Sequence, residues 1–232
     1  MEGKLCLICG DDDYLVDAAA RERINQLVPE SDRTFGVETV DGHRDTAEEI
    51  CKAVDACMES VQTPGFFGAA KVTWFRDVTF LPGSSRCAET IAAKEATQKL
   101  ITWLKGGMLD GQALIITTAK VLRTSTFFKT CQQHGEVQDF GNGLKAWELE
   151  KLAGQRLDTL FAQAGLAVDA TARAEFLKRA GCDTRLLVSE VEKLRLYAGA
   201  SKRVTVEDVR EITSIGREAE AWDLLDAFGE RS

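Results

Sequence analysis

The chain has two histidines, no surplus of basic residues, no long apolar run and no intact phosphate-binding loop, and each lack removes a class of function. His43 and His134 read as turn or helix-end positions, and no G-x-S-x-G elbow accompanies them, so a hydrolase triad is unsupported. So few imidazoles also serve a mononuclear metal site poorly. Lysine and arginine number 29 against 37 aspartates and glutamates, a net charge of −8. That excludes tight stand-alone binding of nucleic acid, where cations must displace counterions, and leaves only contact through a local basic face. Leu5-Cys6-Leu7-Ile8-Cys9 is too short for a signal peptide, and no later run approaches the roughly 20 apolar residues that span a bilayer. No membrane partner is expected, and a cytoplasmic location is.

The seven cysteines are odd in number and scattered, which fits free thiols in a reducing compartment better than a disulfide framework. Cys6 and Cys9 have metal-knuckle spacing, but three residues apart on a strand they face opposite sides, and no second pair follows nearby. Core packing is the expectation. A G-x-x-x-x-G-K-[ST] loop is missing from every window. The nearest match, Gly106 to Ala113, has Gln112 in place of lysine and Ala113 in place of the hydroxyl, and it precedes a strand. It reads as a helix stop and turn.

What is there begins with a βα unit. Leu5 to Cys9 suits a strand buried on both faces, Gly10 a tight exit, and Val16, Ala20, Ile24, Leu27 and Val28 recur at helical spacing. Nucleotide-binding folds cradle phosphate at this turn on a helix N-terminus. Here Asp11, Asp12 and Asp13 stand in it. Carboxylates cap a helix well but repel phosphate, by about 4 kcal/mol for one charge at 4 Å and an effective dielectric near 20. The turn therefore reads as a blanked nucleotide site, and no cofactor is expected.

Alternating elements follow. Phe35, Val37 and Val40 read as a second strand ended by Asp41-Gly42. Thr46 and Glu49 read as a capping box for a helix with Ala47, Ile50, Cys51, Val54 and Met58 on one face. Lys71 to Phe75 is a third strand, Ala88 to Lys105 a helix with Ala92, Ala96, Leu100 and Trp103/Leu104 on one face and a glycine stop, and Ala113 to Thr117 a fourth strand. Thr124 to His134 is a short helix and Glu136 to Phe140 a fifth strand. This alternation predicts an α/β fold, a parallel sheet flanked by helices. After Gly141-Asn142-Gly143 only helical patterns remain, over 144–164, 169–180 and 184–197 and a short one opened at Thr205. The expected domains are 1–143, a small all-helical lid over 144–213, and 214–232, where the apolar Trp222 to Phe228 reads as the start of a truncated third domain.

Single residues give less. Ser85-Arg86-Cys87 is similar to the arginine-finger tripeptide of clamp-loader ATPase subunits, but it follows the third strand where those follow the fourth, so an exposed loop arginine is the reading. Asp77, just past the third strand, stands where such folds put a magnesium-binding acid, and without a phosphate cradle it reads as a solvated loop residue. By type alone Phe66-Phe67 before a strand is core. The Pro64-Gly65 break places the pair at a junction more often exposed, and the residues alone leave both readings open.

Four stretches taken together resemble the delta subunits of bacterial DNA polymerase III clamp loaders. They are Gly10-Asp11-Asp12-x-Tyr14-Leu15-Val16; Pro64-Gly65-Phe66-Phe67-Gly68 ahead of Lys71-Val72; Gly181-Cys182-Asp183-x-Arg185-Leu186-Leu187-x-x-Glu190-Val191-Glu192-Lys193-Leu194; and Trp222-Asp223-Leu224-Leu225-Asp226-Ala227. The resemblance implies an AAA+-like module without nucleotide, followed by a helical lid. It implies no intrinsic enzyme activity, only membership of the polymerase holoenzyme, with sister subunits hydrolysing ATP. It implies that Phe66 and Phe67, on Pro64-Gly65, enter a pocket of the sliding clamp and hold the ring open during replication. Arg185 matches a lid arginine that senses phosphate in active relatives, and here only a structural role is expected. Further implied partners are the other loader subunits, through a collar domain absent from this sequence, and primer-template DNA within the assembled complex. Two rival readings are an active P-loop ATPase with a degenerate loop and a stand-alone adaptor of AAA+ ancestry.

Overall fold

A computed structural model describes residues 4–65, 71–108, 110–141 and 146–214. The chain divides into two compact units, Met1–Gly143 and Leu144–Ser232. In the first, β1 (Lys4–Cys9), α1 (Asp13–Leu27), α2 (Arg33–Gly36), β2 (Val37–Asp41), α3 (Ala47–Gln62), β3 (Lys71–Arg76), α4 (Ile91–Lys105), β4 (Gln112–Thr118), α5 (Thr126–His134) and β5 (Glu136–Asp139) follow in order. The five strands form one sheet in the order β2-β3-β4-β1-β5, with every pairing parallel.

The pleat sorts the strand residues into two cores. Cys6, Ile8, Val72, Trp74, Ala113 and Ile115 pack with Val16, Ala20, Ile24 and Leu27 of α1. Leu5, Leu7, Cys9, Phe75, Leu114 and Ile116 pack against buried residues of α3, α4 and α5 on the other face. Cys6 and Cys9 thus lie on opposite sides of the sheet, as a two-residue period requires. The helices start on side-chain caps: Asp12, Thr46, Thr90 and Ser125 accept the N–H groups of Leu15, Glu49, Ala93 and Phe128. Each cap contributes about 1 kcal/mol.

Three details differ from the sequence reading. Phe35 belongs to α2 and is 71% exposed, so the second strand starts at Val37. The buried stripe of α3 is Ile50, Ala53, Val54, Cys57, Ser60 and Val61, while Ala47, in the first turn, and Cys51, about 100° round from Ile50, face solvent. Residues 87–89 form a 3₁₀ turn, so α4 begins at Ile91 after its Thr90 cap and buries Ala93 more deeply than Ala92.

The second unit contains α6 (Ala146–Ala164), β6 (Ala167–Val168), α7 (Ala170–Ala180), α8 (Thr184–Ala198), β7 (Arg203–Val204) and α9 (Val206–Ile212). Its core gathers Ala153, Leu157, Phe161, Phe176, Leu187, Val191, Leu194 and Val209, with the Phe161 and Phe176 rings edge-on at 5.4 Å. The expectation of helices alone missed the parallel β6-β7 ladder. Two residues per strand are too few to show a period. Thr205 and Asp208 form a reciprocal capping box on α9.

Candidate functional site

The ends of a parallel sheet are chemically different, and the candidate residues fall at both. At the C-terminal end lies the turn from β1 into α1. Gly10 is required there, because a Cβ would come 2.7 Å from Phe140 Cβ. Its N–H donates to the Thr118 carbonyl and that of Asp11 to the Gly141 carbonyl, both at 3.3 Å. The Asp12 carboxylate accepts the Leu15 N–H at 3.1 Å, and its carbonyl takes that of Val16 at 3.1 Å. Of these, the Gly10, Asp11 and Leu15 N–H groups are donors that a bound phosphate would otherwise recruit. Here the ends of neighbouring strands and the helix cap take them.

Beside this turn, Asp77 closes β3 at φ 55°, a left-handed conformation that aspartate tolerates better than most residues. Its N–H donates to Thr117 Oγ1 at 3.0 Å, and the same oxygen accepts the Trp74 indole N–H at 3.1 Å. The Asp77 carboxylate meets His43 Nδ1 at 3.3 Å, so the structure brings together two residues that the sequence analysis treated apart. Arg86 is exposed on the 3₁₀ turn before α4. In the second unit Arg185 is exposed in the first turn of α8, and Arg156 donates to Thr184 Oγ1 at 2.6 Å.

At the N-terminal end of the strands, α3 stops on Thr63, whose N–H and hydroxyl both donate to the Glu59 carbonyl. Pro64 follows, exposed, then Gly65, half-buried. Phe66 and Phe67 lie outside the described residues. The chain on either side of them is braced. Lys71, which opens β3 and keeps only 11% of its side chain exposed, reaches Glu38 of β2 at 2.7 Å. The buried Ser60 and Thr73 hydroxyls are 2.8 Å apart. Lys71, first, and the Ser60 hydroxyl hold the Glu38 carboxyl below its ordinary range. The sequence analysis missed this brace, although a serine inside the apolar stripe of α3 and a threonine inside a buried strand are the signal for a polar partner.

Three of the buried thiols are quiet. Burial pushes Cys6 up to about 11 and Cys57 and Cys131 to about 12, far from the thiolate range. Among the described residues no group of three or more His, Cys, Asp or Glu side chains is placed to hold a metal ion, and no helix is long and apolar enough to cross a membrane.

The strand order and the flanking helices define a parallel α/β fold, and a mainly helical unit follows it in the chain. Among solved structures, the chain is similar to the DNA clamp loader delta protein of Bacillus subtilis, with a TM-score of 0.61 and 15% identity over 96% of this chain. At that identity the likeness is one of fold, and the chain spans 61% of that protein's length. Looser likenesses are to the Thermotoga maritima RuvB Holliday junction branch migration motor, at TM-score 0.46 and 12% identity over 90% of this chain and 60% of that one, and to domain III of the Thermotoga maritima replication initiation protein DnaA, at 0.42 and 12% over 90% and 84%. The sequence matches no protein-family model and no curated protein.

Proposed function

We propose that the chain is a non-catalytic, delta-type subunit of a bacterial clamp loader that binds the sliding clamp and opens or holds open its ring for loading onto primed DNA. The observation that carries this reading is the delta-protein fold over 96% of the chain, joined to a β1–α1 turn in which three aspartates stand and the Gly10, Asp11 and Leu15 N–H groups are taken internally. Such a module contributes binding energy while other subunits hydrolyse ATP. A protein that acts only by binding shifts the clamp between closed and open ring by no more than its differential affinity for the two.

The proposed contact is Phe66 and Phe67, carried on Pro64-Gly65. In its support, Pro64 is exposed beside a helix end that is firmly capped, and β3 restarts at a residue pinned to β2. An anchored base lowers the ordering cost of a binding loop. In the reading, the other loader subunits are met through a further collar domain, and primer-template DNA only in the assembled complex. The test is binding of the immobilised sliding clamp of the same organism. Saturable binding, unchanged by ATP and magnesium, is expected; no binding, or binding only with ATP, would overturn the proposal.

A further inference from the structure

Glu190 is only 2% exposed and has no part in the function proposed above. A carboxylate is costly to bury unless charged and hydrogen-bonding partners replace its water, so its partners disclose its role. One is Lys193, a turn further along α8, at 2.6 Å. Another is the N–H of Ser214, at 3.1 Å, where the chain has just left α9. Lys193 Nζ also donates to Ser214 Oγ at 3.0 Å, so the ion pair grips both the backbone and the side chain of one residue. Its neighbour Thr213, itself buried, caps α9 by donating to the Val209 carbonyl, and its own carbonyl accepts Arg179 Nε of α7 at 3.1 Å. Glu175 of α7 in turn meets Arg210 of α9 at 3.3 Å and Arg179 at 3.8 Å. Stopping a short helix needs only its cap. Here two consecutive residues past the helix are also held by charged groups from two other helices, α7 and α8.

We infer that Glu190, with Lys193 and Arg179, forms a latch that fixes the backbone at Thr213 and Ser214, just past α9, against α8 and α7. Glu190 is its positioning residue, the one buried charge among the described residues. The inference uses the second unit alone and stands or falls independently of clamp binding.

Amide hydrogen exchange on the full chain tests it, comparing Ser214 with Val191 and Leu194 in the core of α8. Losing a hydrogen bond to a charged group should speed exchange at Ser214 by about 10- to 100-fold. Glu190→Ala should show this, with a much smaller change at Val191 and Leu194. Glu190→Gln keeps an acceptor for the Ser214 N–H but loses the ion pair, and should fall between. Lys193→Met, whose side chain is 42% exposed in the wild type, keeps the fold intact and should also loosen Ser214 selectively. Equal acceleration at Ser214 and the two core amides would make Glu190 an ordinary core group. No change at Ser214 in Glu190→Gln and Lys193→Met would mean that no latch exists. Either result overturns the inference.

Discussion

If charge alone blanked the β1–α1 turn, replacing Asp11, Asp12 and Asp13 together by asparagine would reopen it. Asparagine caps a helix about as well as aspartate, so the bond from Asp12 to the Leu15 N–H has a ready substitute. What is lost is the attraction of the carboxylates for the helix N-terminus, about 0.3–1 kcal/mol apiece and about 1–3 kcal/mol in all. The melting midpoint should fall by about 2–12 °C at 2–4 °C per kcal/mol. The triple variant also removes the repulsion of about 4 kcal/mol that each charge imposes on a phosphate 4 Å away. With that barrier gone, a site able to bind ATP would gain about 2.7 kcal/mol at 100 times the dissociation constant. The account predicts no such gain. Gly10 and Asp11 still give their amides to the Thr118 and Gly141 carbonyls, and no lysine stands in the turn. Thermal melts with and without ATP and magnesium should coincide for the wild type and for the variant. A saturable upward shift in the variant alone would show that charge was the whole block, and a shift in the wild type would refute the blanked site itself.

Three further outcomes rest on the same geometry. Thr117→Val should cost about 2–6 kcal/mol in denaturant unfolding, because the Trp74 indole N–H and the Asp77 N–H lose one shared acceptor at about 1–3 kcal/mol each; a loss under 0.5 kcal/mol would mean that water replaces it. Acidification should lower the melting midpoint. Glu38, Asp41 and Asp158 are held below their ordinary range, first by Lys71, by the His43 backbone N–H and by Arg173, respectively. Carboxylates with depressed folded-state pKa values contribute stability that is fully present above the unfolded value near 4 and is lost as the pH falls through the folded one, so the midpoint should be level above about pH 5 and drop below about pH 4. A midpoint that rises on acidification would contradict the assignment. Ser60→Ala should cost about 1–2 kcal/mol by leaving the buried Thr73 hydroxyl without its partner, and equilibrium unfolding that matches the wild type would remove Ser60 from the brace.

The strands and most helix limits were legible in the sequence because each rests on a local signal. Leu5 to Cys9 is apolar without a break and became the strand paired on both sides. The aspartate turn and Thr46 were read as caps, and Asp12 and Thr46 serve as caps; Thr90 and Ser125 also cap, inside the starts expected at Ala88 and Thr124. Phe35 was misread because an aromatic next to Val37 mimics strand alternation, whereas a short helical turn carries it outward. Of the sites, the acidic turn could be read from charge. The brace of Glu38, Lys71, Ser60 and Thr73 and the latch at Glu190 could not. Their members lie 13 to 33 residues apart or hold backbone groups, and a sequence does not reveal which distant polar groups will share a buried space.

The central claim is clamp binding through Phe66 and Phe67. Each ring, if buried in a clamp pocket, contributes about 1.5–3 kcal/mol, and the pair together is worth about a hundredfold or more in affinity at 1.4 kcal/mol per tenfold. The decisive measurement is the dissociation constant for the organism's sliding clamp of the wild type against Phe66→Ala/Phe67→Ala, with a thermal melt of each. The account predicts wild-type binding that weakens by about a hundredfold or more in the variant while the melting midpoint stays put. A wild type that does not bind, or a variant that binds as tightly, would contradict it.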